Sequence, residues 1–219
     1  MKAILLIILV FVSNEVFSNP EPIFVSQYPE LEHGLKLKNI KKCQKQVGVD
    51  CQPHEKLSQL LNCAHATMQN KPYCQQNVIF LDEQKALIKS VSSLGNIGLI
   101  YAKILSAENK NSYFMVDVSG QIIKPTGYLN LKHARNFKLL KQKYSKIELW
   151  RQVVNPPRYQ SLANGEQQLI FKQILLNGCH GCEQVGIATV VYQFTKDGLF
   201  KGTKVTELTP SANDHVLAS

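Results

Sequence analysis

The residues best placed to do chemistry are Cys179-His180-Gly181-Cys182. Two thiols with two residues between them can close a small disulfide, exchange it with another thiol, or fill two positions of a metal site. A thioredoxin-type redox pair opens a helix, whose N-terminal dipole lowers the pKa of the first thiol. Here the chain continues Glu183-Gln184-Val185-Gly186-Ile187-Ala188-Thr189-Val190-Val191, a strand pattern, and the histidine follows the first cysteine instead of preceding the second. A c-type haem site requires histidine directly after the second cysteine, where Glu183 stands. A zinc knuckle requires a second ligand pair, which other cysteines could supply only by forgoing their own disulfides. The reading this leaves first is a short disulfide at the tip of a hairpin formed by 168–176 and 185–194, with Gly178, Gly181 and Gly186 permitting the tight path. Its rival is a redox-active pair, Cys179 and Cys182, with His180 favouring a thiolate when protonated.

The remaining cysteines, Cys43, Cys51, Cys63 and Cys74, crowd together far upstream. Four cysteines allow three pairings, and spacing alone does not choose among them. No Gly-x-Ser-x-Gly, Ser-x-x-Lys, His-Glu-x-x-His or Gly-x-x-x-x-Gly-Lys occurs. A carboxylate pair could be drawn from Asp117, Glu148, Glu166 or Glu183, but nothing in their spacing selects one. His33, His54, His65, His133 and His215 are scattered and read as surface or core residues. The expectation is therefore no metal, no cofactor and no catalytic set outside the Cys179 tetrad, with activity leaning towards none.

The formal charge is +9, and only three of the 25 basic side chains are arginines, Arg135, Arg151 and Arg158. Base-reading proteins lean on arginine forks, so a specific nucleic-acid partner is not expected. Lys132, Arg135, Lys143 and Lys146 gather opposite Ala134, Phe137, Leu140 and Tyr144 if 130–144 is one helix, which would give a basic patch. Lys36, Lys38, Lys41, Lys42 and Lys45 form a second basic run. An envelope protein or an anionic polymer is the partner class these charges suit.

Export sets the chemistry of the cysteines. Lys2, the apolar run 3–12 and Val16-Phe17-Ser18 before Asn19-Pro20 match a secretory signal peptide cleaved near Ser18, with Asn14 and Glu15 closing the run. Crossing a bilayer takes roughly 20 apolar residues, and no later stretch approaches that length, so no membrane span is expected after cleavage. A periplasmic or secreted address makes six cysteines a disulfide framework first. The absence of Asn-x-Ser/Thr gives weak support to the periplasm.

Elements to position these residues follow from periodicity. A helix is predicted near 55–68, with Leu57, Leu60, Leu61 and Ala64 on one side, and another over 81–91 from Leu81, Ala86, Leu87 and Val91, with Asp82 and Glu83 in its first turn. Strands are predicted at 97–105, 113–118, 121–124, 168–176, 185–194 and 200–208, with Asp197-Gly198 joining the last two through a turn of two positive-φ residues. Asn155-Pro156-Pro157-Arg158-Tyr159 reads as a rigid loop. The fold expected is α+β, a disulfide-stapled N-terminal helical segment packed on an antiparallel β-sheet of consecutive hairpins. The predicted organisation is a signal peptide at 1–18, an extended lead-in at 19–35 and a single domain at 36–219. Within it lie a cysteine-rich helical appendage (36–77) and a sheet-rich core (78–219). The function this favours is an exported, non-catalytic binding or accessory factor of the bacterial envelope, with thiol–disulfide exchange and cationic surface adhesion as alternatives.

Overall fold

Helices form where apolar residues recur every three or four positions beside a cysteine that can be stapled. The computed structural model describes residues 37–51, 57–105, 111–126, 128–179 and 181–211. The segments expected to be a signal peptide (1–18) and a lead-in (19–35), with Lys36, His33, His54, His180 and His215, lie outside the described residues. Helix α1 (Leu37–Asp50) buries Ile40, Cys43 and Val47 on one side and leaves Lys38, Lys41, Lys42 and Lys45 in solvent. Helix α2 (Leu57–Gln69) buries Ala64 and Met68. After a 3-10 turn at Pro72–Cys74 comes α3 (Gln75–Gln84). Cys51–Cys63 ties the end of α1 to α2, and Cys43–Cys74 ties α1 to the start of α3. Cys43 and Cys74 are fully buried among Ala64, Met68 and Leu81, so the staples stand in for an apolar core these short helices lack.

The predicted helix over 81–91 is overturned. Lys85 adopts φ 47°, ψ 46°, a left-handed conformation that ends α3, and the chain turns into β1 (Ala86–Leu94). Ala86 and Ile88 point inward, and β1 pairs with β2 (Ile97–Ile104) from Ala86↔Ile104 to Leu94↔Ile97. A ready-made antiparallel neighbour satisfies the backbone of 86–94 better than helical spacing of four apolar residues could. Asp82 and Glu83 consequently sit in the last turn of α3, not the first turn of a helix.

The sheet predicted as one is two. Strands β1, β2, β3 (Asn111–Val116) and β4 (Ile122–Ile123) form a four-stranded antiparallel meander. Strands β5 (Glu148–Val153), β7 (Gln167–Leu176), β8 (Gln184–Phe194) and β9 (Phe200–Pro210) form the second sheet in that order, with β6 (Arg158–Ser161) pairing β7 beyond β5. The meander is the middle layer. On one face Ile100, Ala102, Phe114 and Val116 meet Ile40 of α1 and Phe80 of α3, the two phenyl rings lying edge to face at 5.0 Å. On the other, Ile97, Leu99, Met115 and Ile123 meet Leu169, Phe171, Val190 and Tyr192 of the five-stranded sheet. Burial on both faces explains the near-continuous apolar run of β2. The α+β class, with stapled N-terminal helices on antiparallel sheet, holds.

Two further local expectations change. The helix over 130–144 shrinks to α4 (Phe137–Lys143), because the backbone of Arg135 is recruited by the edge of β9: its amide donates to Thr206 O (3.0 Å) and its carbonyl accepts from Leu208 (2.9 Å). The apolar side survives, with Ala134, Leu140 and Tyr144 buried in the core. At the β8–β9 turn only Gly198 has positive φ (94°); its amide donates to Thr195 O and Thr195 donates to Leu199 O, a type I turn closed by a glycine bulge. Arg158 and Tyr159, assigned to a loop, begin β6; Pro156 and Pro157 only separate it from β5.

Candidate functional site

Cys179 and Cys182 are bonded to each other at the tip of the hairpin between β7 and β8. The register places Leu176 opposite Gln184, and the loop closes through Asn177 N–H to Glu183 O (3.0 Å) and Cys182 N–H to Cys179 O (3.1 Å). Both cysteines are exposed, as are Gly181, Glu183 and Gln184. The contrast with Cys43, Cys51 and Cys74, each at most 1% exposed, is complete. The loop is made possible by Gly178, whose φ is 81° and which leaves no room for a side chain: a Cβ there would stand 2.8 Å from Lys146 Cβ and 3.0 Å from its Cδ. The stem of Lys146 therefore lies on the backbone one residue before Cys179. That contact joins two features which the sequence separates by 32 positions and which periodicity assigned to different roles.

Of the other basic residues expected in the patch, only Lys143 lies within α4. Lys132 and Arg135 precede α4, and the Arg135 guanidinium pairs with Glu207 at 3.3 Å. Lys143 closes α4 with its ammonium 5.3 Å from the Tyr144 ring centre. Only Lys143 of the four belongs to the helix, so the one-sided helical patch is not formed as predicted. Lys42 caps the Tyr73 ring at 4.2 Å on the helical layer, while α4 packs against β9 of the five-stranded sheet.

The carboxylates do not converge into a pair. Asp117 is buried and spent on structure: its Oδ1 accepts from Ser119 N–H (2.9 Å), Ser119 Oγ–H (2.6 Å) and Gln121 N–H (3.0 Å), and its Oδ2 accepts from Phe200 N–H (3.2 Å), joining a turn of the meander to the start of β9. Glu166 is held in an ion pair with Lys201, whose hydrogen bond keeps its carboxyl below the usual range. Glu148 and Glu183 face solvent. Among the described residues no group of His, Cys, Asp and Glu is arranged to hold a metal ion.

A second feature was missed by reading the sequence. The inward residues of β7 are Gln167, Leu169, Phe171, Gln173 and Leu175. The pairing Ile170↔Val191, Lys172↔Thr189 and Ile174↔Ile187 puts these six on the opposite, outer face, with Arg158 alongside Ile170 and Lys204 alongside Val191. Ile170, Ile174 and Ile187 are half-buried, Val191 is 5% exposed, and Lys172 Nζ donates to Thr189 Oγ1 at 2.7 Å. The signal was present: Leu169-Ile170-Phe171 and Ile174-Leu175-Leu176 in β7 and Val190-Val191-Tyr192 in β8 put apolar residues on both faces, where a strand with one wet face should alternate. No protein-family model matches the chain, and neither does any curated protein or solved structure. The three disulfides fit an oxidising, exported environment, and among the described residues no helix is long and apolar enough to cross a membrane.

Proposed function

We propose that the chain is a non-catalytic binding or accessory factor of the bacterial envelope, released by cleavage near Ser18 into the periplasm or beyond. The observation that carries this reading is the outer face of the five-stranded sheet. Ile170, Ile174, Ile187 and Val191 make an apolar centre across two adjacent strands, and Arg158, Lys172 and Lys204 put cations among and beside them. Apolar cores bordered by charge are the surface pattern of protein–protein contact, and the cations favour a partner whose rim is acidic. The helical layer and the meander supply a rigid backing, stapled against the oxidising medium.

The test uses the oxidised mature protein and its Ile187→Glu variant, immobilised side by side against a detergent extract of the source envelope. A glutamate at this half-buried position on the outer face leaves the inner core untouched, so the thermal midpoint should move by no more than a few degrees. A specific envelope protein is expected on the unmodified chain and reduced at least tenfold on the variant. Equal capture by both, with the variant folded, overturns the reading; loss of self-association alone, seen by sedimentation, would reassign the face to a second copy of the chain.

A further inference from the structure

We propose that Cys179–Cys182 is a thiol–disulfide exchange site that takes electrons from an exposed protein dithiol, and that Lys146 is a positioning residue placing a positive charge beside it. Three observations carry this. The pair is exposed at a hairpin tip while the cysteines of the helical layer are buried or half-buried, so an incoming thiolate can reach its sulfurs without unfolding anything. The ring spans a separation of three residues, so opening it releases little chain and leaves the ten-residue strand β7 and eleven-residue strand β8 paired along their length. Lys146 Cδ lies against Gly178, the residue before Cys179, and its ammonium is two bonds further on, within reach of the loop. A cation beside a cysteine favours its thiolate, which makes it the better leaving group.

In the step, a thiolate of the partner dithiol attacks Cys182 Sγ, the Cys179–Cys182 bond breaks, and Cys179 departs as a thiolate on the Lys146 side of the loop. The second partner thiol gives up its proton to water, as the first did before attacking; it attacks the partner sulfur of the mixed disulfide and releases Cys182, and Cys179 and Cys182 each take a proton from water. Overall two electrons and two protons pass: the partner dithiol becomes a disulfide and Cys179–Cys182 becomes two thiols. The role is independent of the outer sheet face.

Reduced thioredoxin serves as the protein dithiol, dithiothreitol as the small one, with the oxidised mature chain as acceptor. Timed alkylation and peptide mass spectrometry report each cysteine separately. Thioredoxin should open Cys179–Cys182 at least tenfold faster than Cys43–Cys74 or Cys51–Cys63. A pair opened by dithiothreitol but not by thioredoxin, or opened no faster than the other two, overturns the exchange site. Lys146→Glu should slow opening about threefold to tenfold at low salt, Lys146→Arg should not, and about 1 M salt should erase the difference. An unchanged rate in Lys146→Glu, with an unchanged thermal midpoint, removes the lysine from the proposal.

Discussion

Removing the disulfides one at a time separates bonds that hold the fold from a bond the fold can spare. In the chain-entropy account, a cross-link stabilises by restricting the unfolded state according to the logarithm of the loop it closes. The sequence separations are 31 for Cys43–Cys74, 12 for Cys51–Cys63 and 3 for Cys179–Cys182. The corresponding contributions are about 3.7, about 2.8 and about 1.6 kcal/mol. Burial widens the gap: Cys43 and Cys74 are fully enclosed, so a serine pair there leaves hydroxyls in an apolar cluster at a further cost of about 1–3 kcal/mol, whereas serines at 179 and 182 stay in water. Urea unfolding of the double-serine variants, followed by far-UV circular dichroism, measures this. With a slope of about 2 kcal/mol per molar, the midpoint should fall by no more than about 1 M for Cys179→Ser with Cys182→Ser, and by about 2 M or more for Cys43→Ser with Cys74→Ser. Equal losses, or a larger loss at the hairpin tip, would refute both the entropic argument and the claim that the tip bond is dispensable to folding.

Two other outcomes follow from buried polar groups. Asp117→Ala strips the acceptor from three backbone amides and one hydroxyl; hydrogen bonds to a charged group contribute about 1.5–3 kcal/mol each and overlap strongly, so a loss of about 3 kcal/mol is expected in the same urea assay, with Asp117→Asn losing less. Burial raises the Tyr192 hydroxyl well above its ordinary value of 10.0. Because the folded state then keeps a proton the unfolded state releases, that contribution to stability is whole below pH 10 and declines as pH rises beyond it. Absorbance at 295 nm should show Tyr192 ionising only with alkaline unfolding; ionisation of every tyrosine before the circular dichroism changes would contradict its burial.

Several elements were readable from composition and period. The runs that became β2, β3, β7, β8 and β9 carry enough branched and aromatic residues to declare strands in any context, and Leu60, Leu61 and Ala64 declared α2. The Cys179 tetrad announced a hairpin tip because glycines crowd it and strands flank it. Residues 86–91 went the other way: Leu87 and Val91 suit a helix and a strand equally, and only the edge of β2 settles the matter. The outer face of β7 and β8 was legible in principle as missing alternation, yet an apolar run does not say whether its second face meets another layer or solvent.

What the sequence determined by itself is local: which strongly patterned segments are helical or extended, which cysteines are available, and that six cysteines in a chain that reads as exported should be bonded. What required the tertiary structure is every relation between distant segments. The pairing of the first four cysteines depends on how α1 lies across α2 and the start of α3. The division into two sheets depends on which face of the meander meets the helices. The approach of Lys146 to Gly178 depends on the chain after α4 folding back against the β7–β8 tip. Periodicity encodes the face a residue presents, but carries no information on which remote surface that face will meet; packing makes that choice, by burying the most apolar area with the fewest unpaired polar groups.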